Sequence, residues 1–352
     1  MTSSFTCPHP ILLLAFNRPE LTSKIFSQIR AVRPPALYFS CDGPRPKKND
    51  EQKVAAVRAL TSQVDWPCRI ETRFHETNQG CGKCVAGAIE WFFSKEPEGI
   101  VLEDDTLPSR DFFRFCSTML QRYRNDPSIH AVCGSNIFPL ELAPVLKGEY
   151  SLSKYFFCWG WASWSRCLEN YPAPPGGWNA RILDSCFTRM NFSQLESDSW
   201  KGVVLRAASG QTNTWNYQFN ASGWLNNRKF IIPSKNLVTN IGFGSNATHT
   251  FDPKSPFAAL PTETLPASLQ RCPSPRLEEF LDQIRFFHFF NLYWGALGAA
   301  EYSRKMEIES ARKLAYWESL SKNPSKLVIY VLKTYWIDIK NFLGNSLNPK
   351  NK

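Results

Sequence analysis

Three consecutive carboxylates, Glu103, Asp104 and Asp105, directly follow a run of three branched aliphatic residues, 100–102. Such a run predicts a strand buried on both faces, as in the middle of a parallel sheet. Open α/β sheets bind their ligands at the carboxyl ends of such strands. Adjacent anions repel one another unless a cation lies among them, and Mg²⁺ or Mn²⁺ suits oxygen ligands. A solvated acidic turn is the alternative, but the buried strand favours a ligand site.

Two other polar segments follow predicted strands. Residues 11–16 form an apolar run that ends at Asn17 and Arg18, and residues 36–40 form another that ends at Asp42. A third strand is predicted at 69–74, and a flexible turn over 78–83 opens a helix at about 84–93. The order β-α-β-α-β-α-β predicts a doubly wound α/β domain with a parallel sheet and right-handed crossovers. The strand ends would then gather the polar residues at one edge.

Composition narrows the class of protein. The 352 residues are 43% hydrophobic and 20% charged, which is typical of a globular protein. A net charge of +10 is compatible with a nucleic-acid-binding protein, but the sequence contains no recognition module, so we expect no nucleic-acid partner.

The cysteines do not indicate a disulfide scaffold or a zinc site. There are eleven of them without the regular spacing of such a scaffold, and Cys81 and Cys84 have no second pair for a zinc site. No signal peptide or spanning segment is recognised, so we expect free thiols and a cytoplasmic location.

Aromatic residues are concentrated at 155–164, where Trp159, Trp161 and Trp164 surround Gly160. A hydrophobic core could hold them. Aromatic rings around a glycine more often let the backbone approach a ligand while the rings stack on it. Residues 172–209 are interpreted as a variable polar stretch, and a helix is predicted over 214–225.

Seven segments, taken together and in order, resemble a known family. They are Phe16-Asn17-Arg18-Pro19, Cys41-Asp42-Gly43, Leu102-Glu103-Asp104-Asp105, residues 157–161, Thr214-Trp215, Asn240-Ile241-Gly242-Phe243-Gly244 and Thr248-His249-Thr250. The chain resembles glycosyltransferases of the GT-A fold, in particular a bacterial family-2-like or hemolytic-protein-like group, and more distantly the animal N-acetylglucosaminyltransferase I type. The resemblance covers residues 11–250. It implies a Rossmann-like, mostly parallel α/β sheet flanked by helices, to which the residues beyond 275 add a predicted C-terminal helical appendage.

The resemblance also implies roles for individual residues. Arg18 would face the diphosphate of a UDP-sugar, Asp42 the uracil or ribose, and Asp105 a Mn²⁺ or Mg²⁺ ion. Lys83 would add a second contact with the diphosphate, unless it is simply solvated. His249 would reach the metal or diphosphate, unless it makes a structural hydrogen bond. The predicted site residues are Phe16, Asn17, Arg18, Asp42, Lys83, Glu103, Asp104, Trp159, Gly160 and Trp161 for the donor, Asn136 and Trp215 for the acceptor, Asp105 and His249 for the metal, and Asn216 and Asp104 for catalysis.

One position departs from the family. The residue after the Thr-Trp pair is usually an Asp that serves as the base, but this chain has Asn216. An amide cannot take a proton from the acceptor hydroxyl. Three interpretations remain: Asp184, Glu196 or Asp198 substitutes as the base; Asn216 only orients the acceptor; or the protein binds the donor with little or no turnover. The resulting hypotheses are an inverting, metal-dependent transferase for a UDP-sugar, with UDP-N-acetylhexosamine as one candidate, and a catalytically impaired donor-binding or scaffold protein.

The C-terminal part carries a separate expectation. We divide the chain into a GT-A domain at 1–250, a Pro-rich linker at 251–275 and a helical region at 276–352. Helices are predicted at 276–300, 301–321 and 325–343, and in the last one Lys326, Lys333 and Lys340 share a face beside apolar and aromatic residues. That pattern suits peripheral contact with an anionic membrane, or packing on the domain with the lysines in water.

The acceptor would be a glycan or a lipid-linked glycan of bacterial surface polysaccharide or lipopolysaccharide.

Overall fold

The computed structural model describes residues 5–173, 177–244 and 255–291. Within them the strands are β1 (Ile11–Ala15), β2 (Ala36–Cys41), β3 (Arg69–Phe74), β4 (Glu98–Glu103), β5 (Thr106–Pro108), β6 (Ile129–Cys133), β7 (Tyr150–Ser153), β8 (Trp161–Trp164), β9 (Lys229–Pro233) and β10 (Val238–Asn240). The α-helices are α1 (Pro19–Val32), α2 (Glu51–Ala59), α3 (Cys81–Lys95), α4 (Arg110–Arg122), α5 (Ala180–Arg189), α6 (Gln194–Ala208), α7 (Asn216–Leu225) and α8 (Pro275–Arg285). Shorter 3₁₀ segments are Leu60–Gln63, Leu140–Val145 and Ser165–Leu168, and a π-helical turn, Phe286–Asn291, follows α8.

Eight of these strands form one sheet in the order β3-β2-β1-β4-β8-β6-β9-β7. The first four are parallel, with Ile11 of β1 opposite both Leu37 of β2 and Ile100 of β4. Strand β8 runs antiparallel between β4 and β6, and β7 runs antiparallel to β9. Strands β5 and β10 form a separate antiparallel pair. The predicted fold class, a mostly parallel α/β sheet flanked by helices, is confirmed.

Alternation along the central strands divides the core into two layers. Leu12 and Leu14 of β1 face α3, where Phe92 is buried, whereas Ile11 and Leu13 face α1 and α4. This is the expected pattern for strands whose successive side chains point to opposite faces of a sheet that is covered on both sides. The strands are therefore held rigidly from both faces, and their carboxyl ends form a fixed edge.

Two features were not expected from the sequence. The stretch 172–209, interpreted only as variable and polar, contains α5 and α6. Helix α6 begins with a capping box, in which the Ser193 hydroxyl accepts from the Glu196 amide and the Glu196 carboxylate accepts from the Ser193 amide, and it buries Trp200 and Val204. The aromatic segment contains strand β8, which is inserted into the sheet. Helices α5 and α6 each bury only a narrow apolar face, and the polar residues on their outer faces hid that pattern in the sequence.

The described part of the C-terminal region packs on the domain. The α8 carboxylate Glu278 accepts from the Leu152 amide of β7 at 2.8 Å, and Asp282 accepts from the Lys154 amide at 2.9 Å. Arg285 is wholly buried and donates to Ser151 Oγ at 2.8 Å. The domain boundaries at 250 and 275 stay predictions. The helices expected at 301–321 and 325–343, and the lysine face, lie outside the described residues; within those described, no helix is both long and apolar enough to cross a membrane.

Candidate functional site

The carboxyl ends of β1, β2 and β4 lie side by side at one edge of the sheet. Leu14 pairs with both Ser40 and Glu103, so the chain segments that follow these strands emerge together. This register brings Arg18, Asp42 and the three carboxylates to the same edge. The sequence prediction that these strands share an edge is confirmed by the topology.

Arg18 joins two of the three carboxylates. It lies between β1 and α1, with Pro19 in the first turn of the helix. Its Nη1 donates to Asp105 Oδ2 at 3.0 Å, its Nη2 is ion-paired with Asp104 Oδ1, and the Phe16 amide donates to the other Asp104 oxygen at 3.2 Å. Desolvation opposes the charge of the guanidinium, but the charges of Asp104 and Asp105 outweigh it and raise the pKa of Arg18. The cation that the carboxylates require is supplied, within the described residues, by this side chain.

Glu103 is the carboxylate that Arg18 does not bind. It is half-buried, and burial together with the charges of Asp105 and Asp104 raises the pKa of its carboxyl to about 8. The pKa values of two nearby thiols, Cys81 and Cys158, are also raised. Burial is the main cause, and the charges of Glu103 and Asp105 add to it. The negative potential of the carboxylate edge therefore extends toward Cys158.

Asp42 organises a loop rather than standing free. One of its oxygens accepts from the Gly43 and Gln79 amides, both at 2.8 Å, and the other from the Gly80 amide at 3.1 Å and Asn78 Nδ2 at 3.0 Å. Four donors fill the usual acceptor capacity of a carboxylate. The loop that Asp42 holds leads directly into α3. Its predicted contact with uracil or ribose stays a prediction, and the structure assigns it the role of holding this loop.

Other residues near this edge form hydrogen bonds with Asp50 or remain accessible. Asn17 Nδ2 donates to Asp50 Oδ1 at 2.7 Å, and Arg45 Nε donates to Asp50 Oδ2 at 2.7 Å. The Arg45 guanidinium lies 5.3 Å from the centre of the half-buried Phe16 ring. Lys83 lies in the first turn of α3 and is exposed, at a helix N-terminus that favours anions. Phe16 and Lys83 therefore remain accessible to a ligand, while Asn17 is held by Asp50.

The predicted metal ligands are only partly placed. A Cβ at Gly242 would lie 2.1 Å from Asp105 Oδ2, so only glycine permits this approach of the backbone. The Ile241 amide also donates to the Asp105 carbonyl at 2.8 Å. His249 lies outside the described residues. Among those described, no group of three His, Cys, Asp or Glu side chains is arranged to hold a metal ion, so they do not by themselves make a metal site.

The aromatic segment divides between core and surface. Trp161 is wholly buried and stacks on the buried Trp215, with ring centres 5.7 Å apart, so neither ring faces solvent. Their burial argues against the direct donor and acceptor contacts predicted for these two rings. Trp159 is half-buried, beside Phe243 at 5.8 Å. Gly160 has φ of +65°, and a Cβ there would lie 2.9 Å from a methyl of Val238, which explains the glycine.

Asn216 begins α7. Its Oδ1 accepts from Thr214 Oγ1 at 2.7 Å, and its Nδ2 lies 3.7 Å from Cys158 Sγ. The segment before it contacts α3, because Asn213 Oδ1 accepts from the Gly82 amide at 2.8 Å. Asn216 therefore contacts Cys158, and the segment before it contacts the start of α3 through Asn213.

The three carboxylates proposed as substitute bases have other partners. Asp184 and Asp198 are exposed; the first pairs with Lys201 at 2.5 Å, and the second accepts from Gln194 at 2.9 Å. Glu196 is buried, pairs with Lys154 at 2.9 Å and accepts from the hydroxyl of Tyr155. None of the three lines the cavity beside Asn216.

That cavity is partly enclosed and has a volume of about 50 Å³. Its walls are mainly aromatic, and its lining residues carry two side-chain amides, a thiol, the Tyr217 hydroxyl and two indole N–H groups. The lining residues are Ile137, Phe156, Phe157, Cys158, Trp159, Trp200, Asn216, Tyr217, Asn220, Phe289 and Phe290. Asn220 is 2% exposed, and its Oδ1 has no hydrogen-bond partner among the described residues.

Asn136, predicted to bind the acceptor, is buried after β6. Its Nδ2 donates to the Ser234 carbonyl at 2.9 Å, and its Oδ1 has no partner in the described part of the chain. The adjacent Ile137 lines the cavity, but Asn136 itself does not. Its contact with an acceptor stays a prediction.

Sequence reasoning missed two contributors to this region. Asn220 lies four residues after Asn216, a spacing that places both on one helical face, so its signal was present in the sequence. Phe289 and Phe290 come from the π-helical turn after α8, which only the tertiary packing brings to the cavity.

Comparisons with known proteins give only distant matches. No protein-family model and no curated protein matches the chain. Among solved structures, UDP-glucose pyrophosphorylase complexed with UDP-glucose matches at 8% identity and a TM-score of 0.31, over 64% of this chain and 90% of that one. Mouse xyloside xylosyltransferase 1 matches at 10% and 0.31, over 61% and 80%, and HddC from Yersinia pseudotuberculosis at 11% and 0.26, over 47% and 80%. TM-scores this low carry no functional inference, so the chemistry rests on the residues themselves.

Proposed function

We propose that the protein is a glycosyltransferase that uses a nucleotide-diphosphate sugar, with a UDP-sugar as the donor. The observation that carries this proposal is the pairing of Arg18 with Asp104 and Asp105 at the carboxyl edge of β1 and β4. A charged group held at this edge, beside the start of α3, is the arrangement that open α/β sheets use for ligands with phosphate groups.

Arg18 would bind the diphosphate. A guanidinium has five N–H donors, and the bonds to Asp104 and Asp105 use two of them. The side chain is 21% exposed, so its remaining donors can reach an anion. Lys83, at the start of α3, would add positive potential on the other side of the diphosphate. These groups would stabilise the charge that develops on the leaving diphosphate.

Metal dependence forms part of the proposal. Mn²⁺ or Mg²⁺ bound by Asp105 would neutralise charge on the leaving group, with His249 as the second predicted ligand. Because the described residues do not complete such a site, the roles proposed for Arg18, Lys83 and Asn216 do not depend on a bound metal.

The acceptor side would lie at Asn216. A hydroxyl of a glycan or lipid-linked acceptor would attack the anomeric carbon opposite the departing diphosphate, which inverts the configuration. Such a protein would act in the synthesis of a bacterial surface polysaccharide, at the inner face of the plasma membrane. Asn216 would orient the acceptor, since an amide cannot take its proton, and the hydroxyl proton would be released to water.

A second candidate function is a donor-binding protein with little or no transfer activity. It is favoured by one observation: among the described residues that line the cavity at Asn216, none is a carboxylate. Asp184, Glu196 and Asp198 are held elsewhere, so none of these three is in place to act as the base near Asn216.

Calorimetric titration with UDP tests the donor site. We expect Mn²⁺ or Mg²⁺ to strengthen UDP binding. Asp105→Ala should weaken this metal-supported binding at least tenfold, because it removes the carboxylate that is proposed to bind the metal. Asp65→Ala is the matched control, since Asp65 also pairs with an arginine, Arg30 of α1, but on the exposed surface. Metal-supported UDP affinity that is unchanged in Asp105→Ala would overturn the assignment.

Measurement of UDP release from UDP-sugars separates the two candidate functions. Turnover in the natural protein supports the transferase. Binding without turnover, with activity gained in Asn216→Asp, supports the impaired donor-binding protein. Asn179→Asp is the control for adding a carboxylate, because Asn179 caps α5 away from the cavity and Asp caps helices equally well.

A further inference from the structure

The two lateral edges of the eight-stranded sheet differ in what covers them. At the β7 edge the chain covers its own strand: the Cys272 amide donates to the Tyr150 carbonyl at 2.7 Å, and α8 packs alongside. At the opposite edge, β3 pairs with β2 on one side, and no strand in the described part of the chain pairs with its outer side. Such an edge presents backbone N–H and C=O groups that can pair with another strand.

Alternate backbone groups of β3 point away from the sheet. The Arg69 amide donates to the Pro35 carbonyl at 3.0 Å, so the odd-numbered residues of this strand point their backbone groups toward β2. Because these groups alternate in direction along a strand, those of Ile70, Thr72 and Phe74 point outward.

The side chains of these three residues are exposed as well. Ile70 is 41% exposed and Phe74 is 36% exposed, and they are two of the four large hydrophobic side chains that are so exposed among the described residues. Thr72 lies between them on the same face of the strand and is also exposed. Apolar side chains along an open edge favour pairing with a partner strand.

A second copy of the chain supplies a strand that fits this edge. Antiparallel pairing joins the outward groups when even-numbered residues face one another. If Thr72 faces Thr72 of a second copy, Ile70 faces Phe74 of that copy. In the same register Glu71 faces Arg73. Threonine on threonine, an aromatic ring on a β-branched side chain, and opposite charges are each favourable pairs across strands.

The neighbouring registers are less favourable. If the partner strand slides by two residues, either Glu71 faces Glu71 of the copy or Arg73 faces Arg73. Like charges directly opposite one another destabilise a sheet, so the side chains favour the register centred on Thr72. Glu71 already accepts from Lys95 and Arg69. A carboxylate has about four acceptor sites, so it can accept from the copy as well.

We propose that the protein forms a two-fold symmetric dimer through antiparallel pairing of β3 with β3 of a second copy. The pairing adds about six backbone hydrogen bonds and joins the two sheets. Each copy contributes the same surface, so the contact closes with two molecules. A single pair of strands is a small interface, and we therefore expect a reversible dimer. The inference is independent of the proposed function.

Sedimentation of the whole protein between about 1 and 100 μM measures the association. We expect the average mass to rise from monomer to dimer across this range. Ile70→Lys should weaken association at least tenfold, because a charged side chain replaces the apolar one that faces Phe74. Leu195→Lys is the matched control, since Leu195 is 47% exposed but lies on α6; it should leave association unchanged.

Thr72→Pro tests the backbone hydrogen bonds. The Thr72 N–H points outward, so proline removes a donor to the second copy without removing one to β2, and edge strands tolerate proline. We expect a monomer throughout the concentration range. Denaturant titration checks that each variant is folded, and if Thr72→Pro does not fold, Ile70→Lys decides.

Cross-linking tests the register. Thr72→Cys places the new thiols of the two copies opposite each other, so a short bismaleimide should give a covalent dimer in higher yield than with the natural protein. Leu195→Cys is the control for an added exposed thiol and should give no such increase.

Three results would overturn the inference. The first is a monomer at every concentration, and the second is a dimer that persists in both Ile70→Lys and Thr72→Pro, since its interface would then lie elsewhere. The third is a dimeric Thr72→Cys protein that does not cross-link more than the control. None of these results bears on UDP binding, so the donor site stands or falls separately.

Discussion

The carboxylate edge of β1 and β4 and the cavity at α7 satisfy their polar groups in opposite ways. At the edge, Arg18, Asp104 and Asp105 partner one another, and Asp42 is filled by four donors. In the cavity, the buried Oδ1 of Asn220 has no partner among the neutral, mostly aromatic walls that the described residues provide.

The difference indicates how each region would respond to a ligand. Charges that are already paired form a preorganised site, where an incoming anion uses the spare donors of Arg18 without new desolvation of the carboxylates. The buried Asn220 Oδ1, which has no partner among the described residues, instead costs about 1–3 kcal/mol. Removing groups from the edge should therefore destabilise the fold, whereas removing the Asn220 amide should not.

The largest expected effect is that of Arg18→Ala. Asp104 would be left buried without its cation, which should lower the free energy of unfolding by about 2–4 kcal/mol. Denaturant titration measures it. Arg30→Ala is the matched control. Arg30, which lies in α1, also forms two hydrogen bonds with an aspartate, Asp65, but both side chains are half exposed, so little change in stability is expected. Equal losses in the two variants would show that burial of the pair is not what matters.

A smaller effect is expected for Asp42→Asn. The change replaces one acceptor oxygen by an NH₂ group, which faces N–H donors of the 78–80 loop and costs about 1–3 kcal/mol. Hydrogen exchange of the Gln79 and Gly80 amides should accelerate. Asp126→Asn provides the comparison, because the Asp126 side chain accepts from Ser128 in an exposed turn. If hydrogen exchange of the Gln79 and Gly80 amides is unchanged in Asp42→Asn, Asp42 does not hold the loop.

The smallest effect concerns Glu103 and pH. Its pKa rises from an ordinary value of 4.5 to about 8 on folding, mainly through burial. Its contribution to stability is therefore fully present below about pH 4.5 and is lost as pH rises through about 8. Glu103→Gln should flatten this decline, measured by denaturation in a chelating buffer.

Glu71→Gln is the control of opposite sign. The Lys95 side chain lowers the pKa of Glu71, so this carboxylate contributes stability above its ordinary pKa, and that contribution is lost as pH falls. If Glu103→Gln leaves the stability profile between pH 5 and 9 unchanged, Glu103 is not in the environment described.

Local patterns determined much of the first half of the fold. The apolar runs that became β1, β2 and β4 are continuous because both faces of the sheet are covered, and β3 was predicted at its observed bounds. Such runs identify strands without any knowledge of their neighbours, and parallel pairing then fixes which ends meet. Arg18, Asp42 and the carboxylates could therefore be placed at one edge in advance.

The sequence by itself thus determined which segments form the parallel strands and which charges lie at their ends, because hydrophobic runs and strand-end residues are local features. Only the tertiary structure decided the partners: that Arg18 bridges Asp104 and Asp105, that Trp161 lies in the core, and that the turn after α8 brings Phe289 to Asn216. Those contacts join residues far apart in the chain. Which side chain satisfies a buried charge or closes a cavity depends on packing in three dimensions, and no spacing along the sequence records it.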